Sequence, residues 1–76
     1  MHSFDDYYYF YLVVKHGGFS AASDISGITK SKLSRRILEL EARFNVTLIQ
    51  RSTRHFKVTS LGQEFFEECE KLIQQV

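Results

Sequence analysis

The residues able to do chemistry in this 76-residue sequence fall mostly between positions 30 and 57. Lys30, Lys32, Arg35, Arg36, Arg43, Arg51, Arg54 and Lys57 stand there against only Glu39 and Glu41, a local charge of +6. Elsewhere Lys15 and Lys71 face seven acids, a balance of −5, so the overall +1 conceals a segregation. A basic middle between acidic ends is the electrostatic footprint of a surface that meets a polyanion on one side only. Hydroxyls interleave with these cations, Thr29, Ser31 and Ser34 in one segment and Ser52 and Thr53 in another. Such side chains suit a nucleic acid: arginine pairs bidentately with guanine, while hydroxyls and lysines reach base edges or phosphate oxygens.

Catalysis is not expected. His2, His16 and His55 lie in three separate segments, and no metal-ligand spacing, Gly-rich phosphate loop or Ser/His/Asp set is present. Cys69 is the single cysteine, which excludes an internal disulfide and any Cys-based metal site, and suits a small apolar position in a helix. No apolar run approaches the roughly 18 residues of a membrane span, and the N-terminus lacks the basic-then-apolar layout of a signal peptide. A cytoplasmic location without a membrane partner is therefore expected.

The elements that must position the basic residues follow from periodicity. Phe4, Tyr7, Phe10, Val13 and Val14 recur at helical spacing over 4–16, with Asp5 and Asp6 in the first turn, where the helix dipole favours acids. Gly17 and Gly18 stop that helix. Ser20 is placed to cap a short second helix, Ala21 and Ala22 permit close packing, and Gly27 breaks it. Thr29 caps a third helix reaching about Phe44, with Leu33, Ile37, Leu40 and Phe44 as its core stripe. At about 100° per residue, Ser31, Arg35 and Ala42 point away from that stripe, flanked by Lys32 and Ser34. Arg36 lies nearer the core, within reach of Glu39 or Glu41 on its own helix, and is expected to serve the fold, as is Arg43.

Asn45 suits a left-handed helix end, and Thr47-Leu48-Ile49-Gln50 followed by Phe56-Lys57-Val58 predicts two short strands around a basic tip, Arg51 to His55. Ser60 and Gln63 have the spacing of a capping box for a last helix, whose Leu61, Phe65, Cys69, Leu72 and Val76 step by 4, 4, 3 and 4. A seam of that kind predicts packing against a second chain more than against its own body. The fold expected is mainly α: a winged helix-turn-helix of three helices and a short two-stranded wing over 1–59, then a long linker and dimerisation helix over 60–76. A domain this small is only marginally stable alone, and burial against a partner would help it.

In that layout the start of the third helix enters a major groove. Ser31, Ser34 and Arg35 are the base readers, and Lys30 and Lys32 reach bases or phosphates. Phosphate contacts fall to Thr29, Ser52, Thr53, Arg54 and the backbone amides near Ser20, with Arg51 and His55 at the hairpin.

The chain resembles the N-terminal DNA-binding domain of LysR-type transcriptional regulators over nearly all its length. The resemblance is carried by Phe4-x-x-Tyr7-x-x-Phe10, Gly17-Gly18-Phe19-Ser20-Ala21-Ala22, the run from Ile28 through Thr29, Lys30, Ser31, Lys32, Leu33, Ser34, Arg35 and Arg36 to Ile37, and Leu40-Glu41. Val46-x-Leu48-Ile49-x-Arg51-Ser52-Thr53-Arg54 and Val58-Thr59-x-x-Gly62 complete it. It implies a bacterial transcription factor that binds double-stranded DNA with an interrupted inverted repeat. The DNA contacts then fall on Thr29, Lys30, Ser31, Lys32, Ser34 and Arg35 and on Arg51, Ser52, Thr53 and Arg54. It also implies a homodimer through an antiparallel last helix, a dimer or tetramer at full length, and a small-molecule effector held by a large C-terminal domain absent from these 76 residues, with no cofactor in the part at hand. The chain departs from the family's pattern at Lys30, commonly Gln, at Lys32, commonly small, and at Ser26, commonly apolar. The last departure leaves the second helix to be packed with help from Ile25. The competing expectation is a winged-helix module that docks an acidic protein without reading a sequence; the outward Ser31, Ser34 and Arg35 suit base edges better.

Overall fold

The computed structural model describes residues 4–51 and 55–74. Helix α1 (Phe4–Lys15) is followed by α2 (Phe19–Ser26), α3 (Lys30–Phe44), a two-stranded antiparallel sheet of β1 (Ile49–Gln50) and β2 (Lys57–Val58), and α4 (Ser60–Gln74). This is a winged helix-turn-helix with a long closing helix. Ile49 pairs with Val58 and Gln50 with Lys57. The strands are shorter than predicted, because Thr47 and Leu48 belong to the run that leaves α3.

The core forms where α1, α3 and α4 converge on Phe10, Val13, Leu33, Ile37, Leu40 and Cys69, with Ala22 of α2 and Leu48 and Ile49 of the wing closing it. Leu33, Ile37 and Leu40 are buried as their stripe predicted, but Phe44 is 47% exposed. It sits on the last turn of α3, with the Phe65 ring 6.4 Å away between centroids. Helix α4 packs along α1 through aromatic pairs: Phe65 with Tyr7 at 5.6 Å and Phe10 at 5.3 Å, and Phe66 stacked on Tyr11 at 5.5 Å. Offset and tilted ring pairs of this kind stabilise beyond their area burial. The start of the last helix is therefore built into the domain body.

The caps decide where α3 begins. Gly27, with φ of 79°, closes α2 in the left-handed conformation that a side chain would strain, and two residues later the Thr29 oxygen accepts the Lys32 amide at 3.1 Å. Asn45 ends α3 at φ 54°, as its type predicted. Two capping expectations shift. Gly18, not Ser20, is the residue before α2, and no side chain caps that end, so Ser20 lies exposed in the first turn. The start of α4 is capped by Thr59 and not by Ser60: Thr59 Oγ1 accepts the Gly62 amide at 2.9 Å and donates to the Thr47 carbonyl at 2.7 Å. Ser60 and Thr59 are chemically equivalent caps, and the tie to Thr47 selects Thr59.

Ser26 is accommodated without help from Ile25, which is 64% exposed. The Ser26 hydroxyl donates to the Ala22 carbonyl at 2.7 Å and accepts the Ile28 amide at 3.1 Å, so a polar side chain in the turn satisfies backbone groups that an apolar one would leave open. No described helix is long and apolar enough to cross a membrane.

Candidate nucleic-acid interface

The first turns of α3 present Lys30, Ser31, Lys32 and Arg35 as exposed side chains, with Ser34 half-buried between them. A shallow open depression is lined by Phe19, Lys30, Ser31, Ser34, Arg35 and Leu38. The residues singled out as base readers thus share one surface. Thr29 stands at its edge with its hydroxyl oxygen engaged as the helix cap. Lys32 leans back over α1, its ammonium 5.7 Å from the Tyr9 ring centroid, an arrangement that anchors the stem while the charge stays in solvent.

Leu38 is a feature of this surface that periodicity did not flag. It is 49% exposed, one turn beyond Arg35, and borders both this depression and the hollow between α3 and the wing residues Ile49, Gln50 and Arg51. Its signal in the sequence is its spacing of three from Arg35 and seven from Ser31, which continues the outward face.

The wing meets this face through Arg51. Its Nη1 donates to Ser34 Oγ at 2.9 Å, its Nη2 lies 3.8 Å from Glu41 Oε1, and its guanidinium sits 5.0 Å from the Phe19 ring centroid. Phe19 in turn meets Phe56 edge-on at 6.1 Å. A second depression, bordered by Gly18, Phe19, Ser20, Gln50, Arg51, His55 and Phe56, joins the uncapped start of α2 to the hairpin. Ser20 and its neighbours thus share one depression with Arg51 and His55, and amides at a helix start without a side-chain cap favour an anion. Ser52, Thr53 and Arg54, expected on the phosphate backbone, lie outside the described residues.

Two charged residues are turned to structural work. Arg36 pairs with Asp6 of α1, through Nε at 2.8 Å and Nη2 at 2.7 Å from the same Oδ1, a partner on another helix, while the Glu39 charge on its own helix adds a smaller attraction. The Asp6 carboxylate holds the Arg36 guanidinium above its usual pKa by hydrogen bond and charge. Glu41 is buried, and its Oε2 accepts the amides of Leu48 at 2.6 Å and Ile49 at 3.1 Å. A carboxylate at the far end of α3 therefore fixes the strand that leads into the wing.

On α4 the expected dimerisation seam divides. Cys69 is fully buried in the domain and Phe65 is packed against the core, whereas Leu61 and Leu72 are 45% and 44% exposed. Val76 lies outside the described residues.

The family model described as the bacterial regulatory helix-turn-helix protein, lysR family, matches residues 4–63. An HTH-type transcriptional repressor of Pseudomonas aeruginosa (strain UCBPP-PA14) is 37% identical over 67 residues, 88% of this chain and 21% of the repressor. The chain thus spans about a fifth of the length of such relatives. Among solved structures, the BenM_DBD/catB site 1 DNA complex superimposes with a TM-score of 0.90 at 31% identity, covering 97% of this chain and 80% of that one. Full-length AphB, a Vibrio cholerae virulence activator, superimposes at 0.87 with 31% identity, over 97% of this chain and 26% of its own.

Proposed function

The chain belongs to the LysR family of bacterial regulatory helix-turn-helix proteins, and from that premise we propose that it binds double-stranded DNA in a sequence-specific manner as the DNA-binding part of a transcriptional regulator. The observation that carries the reading is the single open face on which Lys30, Ser31, Ser34 and Arg35 line one depression at the capped start of α3. The DNA complex of the structurally similar BenM_DBD supports it. The start of α3 enters the major groove, with Ser31, Ser34 and Arg35 against base edges and Lys30 and Lys32 reaching bases or phosphates. Thr29, the amides near Ser20, and Ser52, Thr53 and Arg54 of the wing hold the phosphate backbone or the minor groove. No catalytic role and no cofactor belong to this reading, and the compartment is the cytoplasm.

Two copies joined through α4 would place two recognition helices on an interrupted inverted repeat. Support comes from Leu61 and Leu72, which are exposed on nearly the same side of the helix. A small-molecule effector would act through the larger part of the protein that relatives possess beyond the matched length.

Selection of bound duplexes from a random pool tests the reading. Enrichment of one interrupted inverted repeat is expected, and binding that is equal on all sequences removes it. Arg35→Ala should then relax preference at one base step and cost about 1–3 kcal/mol, whereas Arg54→Ala should weaken all duplexes alike and reduce the salt slope by about one.

A further inference from the structure

We propose that Arg51 is a positioning residue for sequence preference and not a ligand of the phosphate backbone, an inference that rests on the DNA-binding reading above. Arg51 directly follows β1, at the place where a wing cation would ordinarily be assigned to a phosphate. Its guanidinium is instead committed to the protein: Nη1 to Ser34 Oγ at 2.9 Å, Nη2 beside the Glu41 carboxylate at 3.8 Å, and the guanidinium over Phe19 at 5.0 Å. The side chain is 29% exposed. Its charge already has a carboxylate neighbour, so a phosphate approaching Arg51 meets a largely balanced pair where Lys30 or Arg35 would offer an open cation.

The contact with Ser34 has a directional consequence. A guanidinium only donates, so the Ser34 oxygen accepts from Arg51 and the one hydroxyl proton of Ser34 is left to donate elsewhere. Ser34 lines the α3 depression with Lys30, Ser31 and Arg35. One of its two lone pairs is taken, so its proton is turned toward the duplex and the contact favours donation to guanine N7 or O6, adenine N7 or thymine O4 over acceptance from the amino group of cytosine. Glu41 supplies the second half of the device. The same carboxylate that faces Arg51 holds the Leu48 and Ile49 amides, so wing, recognition helix and α2 are locked in one relative orientation. Lysine cannot reproduce this, because it lacks the planar fork and stacks less well on a ring.

The test compares the 76-residue chain with Arg51→Lys, Arg51→Gln and Ser34→Ala. Each is titrated against the duplex that the parent chain selects from a random pool and against a random-sequence duplex, over a range of salt. Thermal midpoints establish that each variant is folded. The expected result is that both Arg51 variants lower the ratio of selected to random affinity about tenfold while the salt slope on the random duplex stays that of the parent. Ser34→Ala should lower the ratio similarly, and adding Arg51→Gln to it should lower it little further, the non-additivity of two residues acting through one contact. A slope that falls by about one for Arg51→Gln, is kept by Arg51→Lys and leaves the ratio intact overturns the positioning role and makes Arg51 a phosphate ligand, with the DNA-binding reading untouched. A parent chain that prefers no duplex overturns both.

Discussion

Glu41, near the end of the recognition helix, accepts the Leu48 amide at 2.6 Å, and this one hydrogen bond ties the exit of α3 to the entry of the wing. The same oxygen also takes the Ile49 amide, so two buried N–H groups depend on a single carboxylate. Removing the acceptor leaves both unsatisfied, at about 1–3 kcal/mol each before relaxation. Glu41→Ala should therefore destabilise by about 2–4 kcal/mol in urea unfolding. Glu41→Gln, which keeps one acceptor oxygen but loses the charge-assisted strength, should cost about half as much. Equal losses for the two variants would mean that the side chain matters for packing and not as an acceptor.

This bond shows where the sequence was informative and where it was not. The four helices, the Thr29 cap and the Asn45 terminus were legible because each depends on contacts within about four residues: a period, a hydroxyl, a left-handed residue. The basic face was legible because wheel angle and charge are local properties. Glu41 and Arg36 were not. Their partners lie seven and thirty residues away, Leu48 in the wing and Asp6 in the first helix, and no spacing rule points across such gaps. The cap of α4 was misplaced by one residue for the same reason, since the tertiary bonds from Thr59 to the Thr47 and Leu48 carbonyls distinguish it from Ser60. Arg51 was legible as a wing cation, but its engagement with Ser34 depends on how the hairpin folds back.

Gly62 lies buried in the first turn of α4, against the wing. A Cβ there would collide with the Leu48 carbonyl oxygen and come within 2.7 Å of Val58 Cγ1. That carbonyl also accepts the Thr59 amide at 3.0 Å, so it cannot swing aside without loss. Helix propensity alone favours alanine over glycine by about 1 kcal/mol. Steric crowding against backbone should outweigh it, and Gly62→Ala is expected to destabilise by about 1–3 kcal/mol in chemical denaturation. A gain in stability would show that α4 can shift outward from the wing at little cost.

Cys69 is buried against the core, and burial pushes its thiol up to about 12 from an ordinary 9.0, with the Glu68 charge adding to the effect. The folded chain should resist thiol reagents at pH 8 until it unfolds. Between about pH 9 and 12 the unfolded thiol is ionised while the folded one keeps its proton, so the unfolded state binds fewer protons and stability falls as pH rises. Cys69→Ala removes that component. Its denaturation midpoint should be lower than the parent's at pH 7, from the volume lost, and should decline less steeply across that alkaline window. Parallel alkaline declines in parent and variant would assign the loss to other groups.

Leu61 and Leu72 are eleven residues apart on α4, which turns them to within about 20° of one side, and both are close to half exposed. An antiparallel pair of these helices would set Leu61 of one copy over Leu72 of the other, at both ends of the contact. The helix around them carries Glu64, Glu67, Glu68 and Glu70 against Lys71, so two copies meet with like charge as well as apolar surface. Salt screens that repulsion, and it also weakens attraction between the basic face and phosphates. The two associations should therefore respond to salt in opposite directions: sedimentation equilibrium should show tighter self-association of the chain as salt rises, while affinity for any duplex falls. Leu72→Asp should abolish the first and leave the thermal midpoint of the dilute chain nearly unchanged, because the side chain is exposed in the single copy. Cys69→Asp, which places a charge in the core, should instead unfold it. A parent chain that stays monomeric at high concentration in high salt would rule out α4 as a self-sufficient contact between copies.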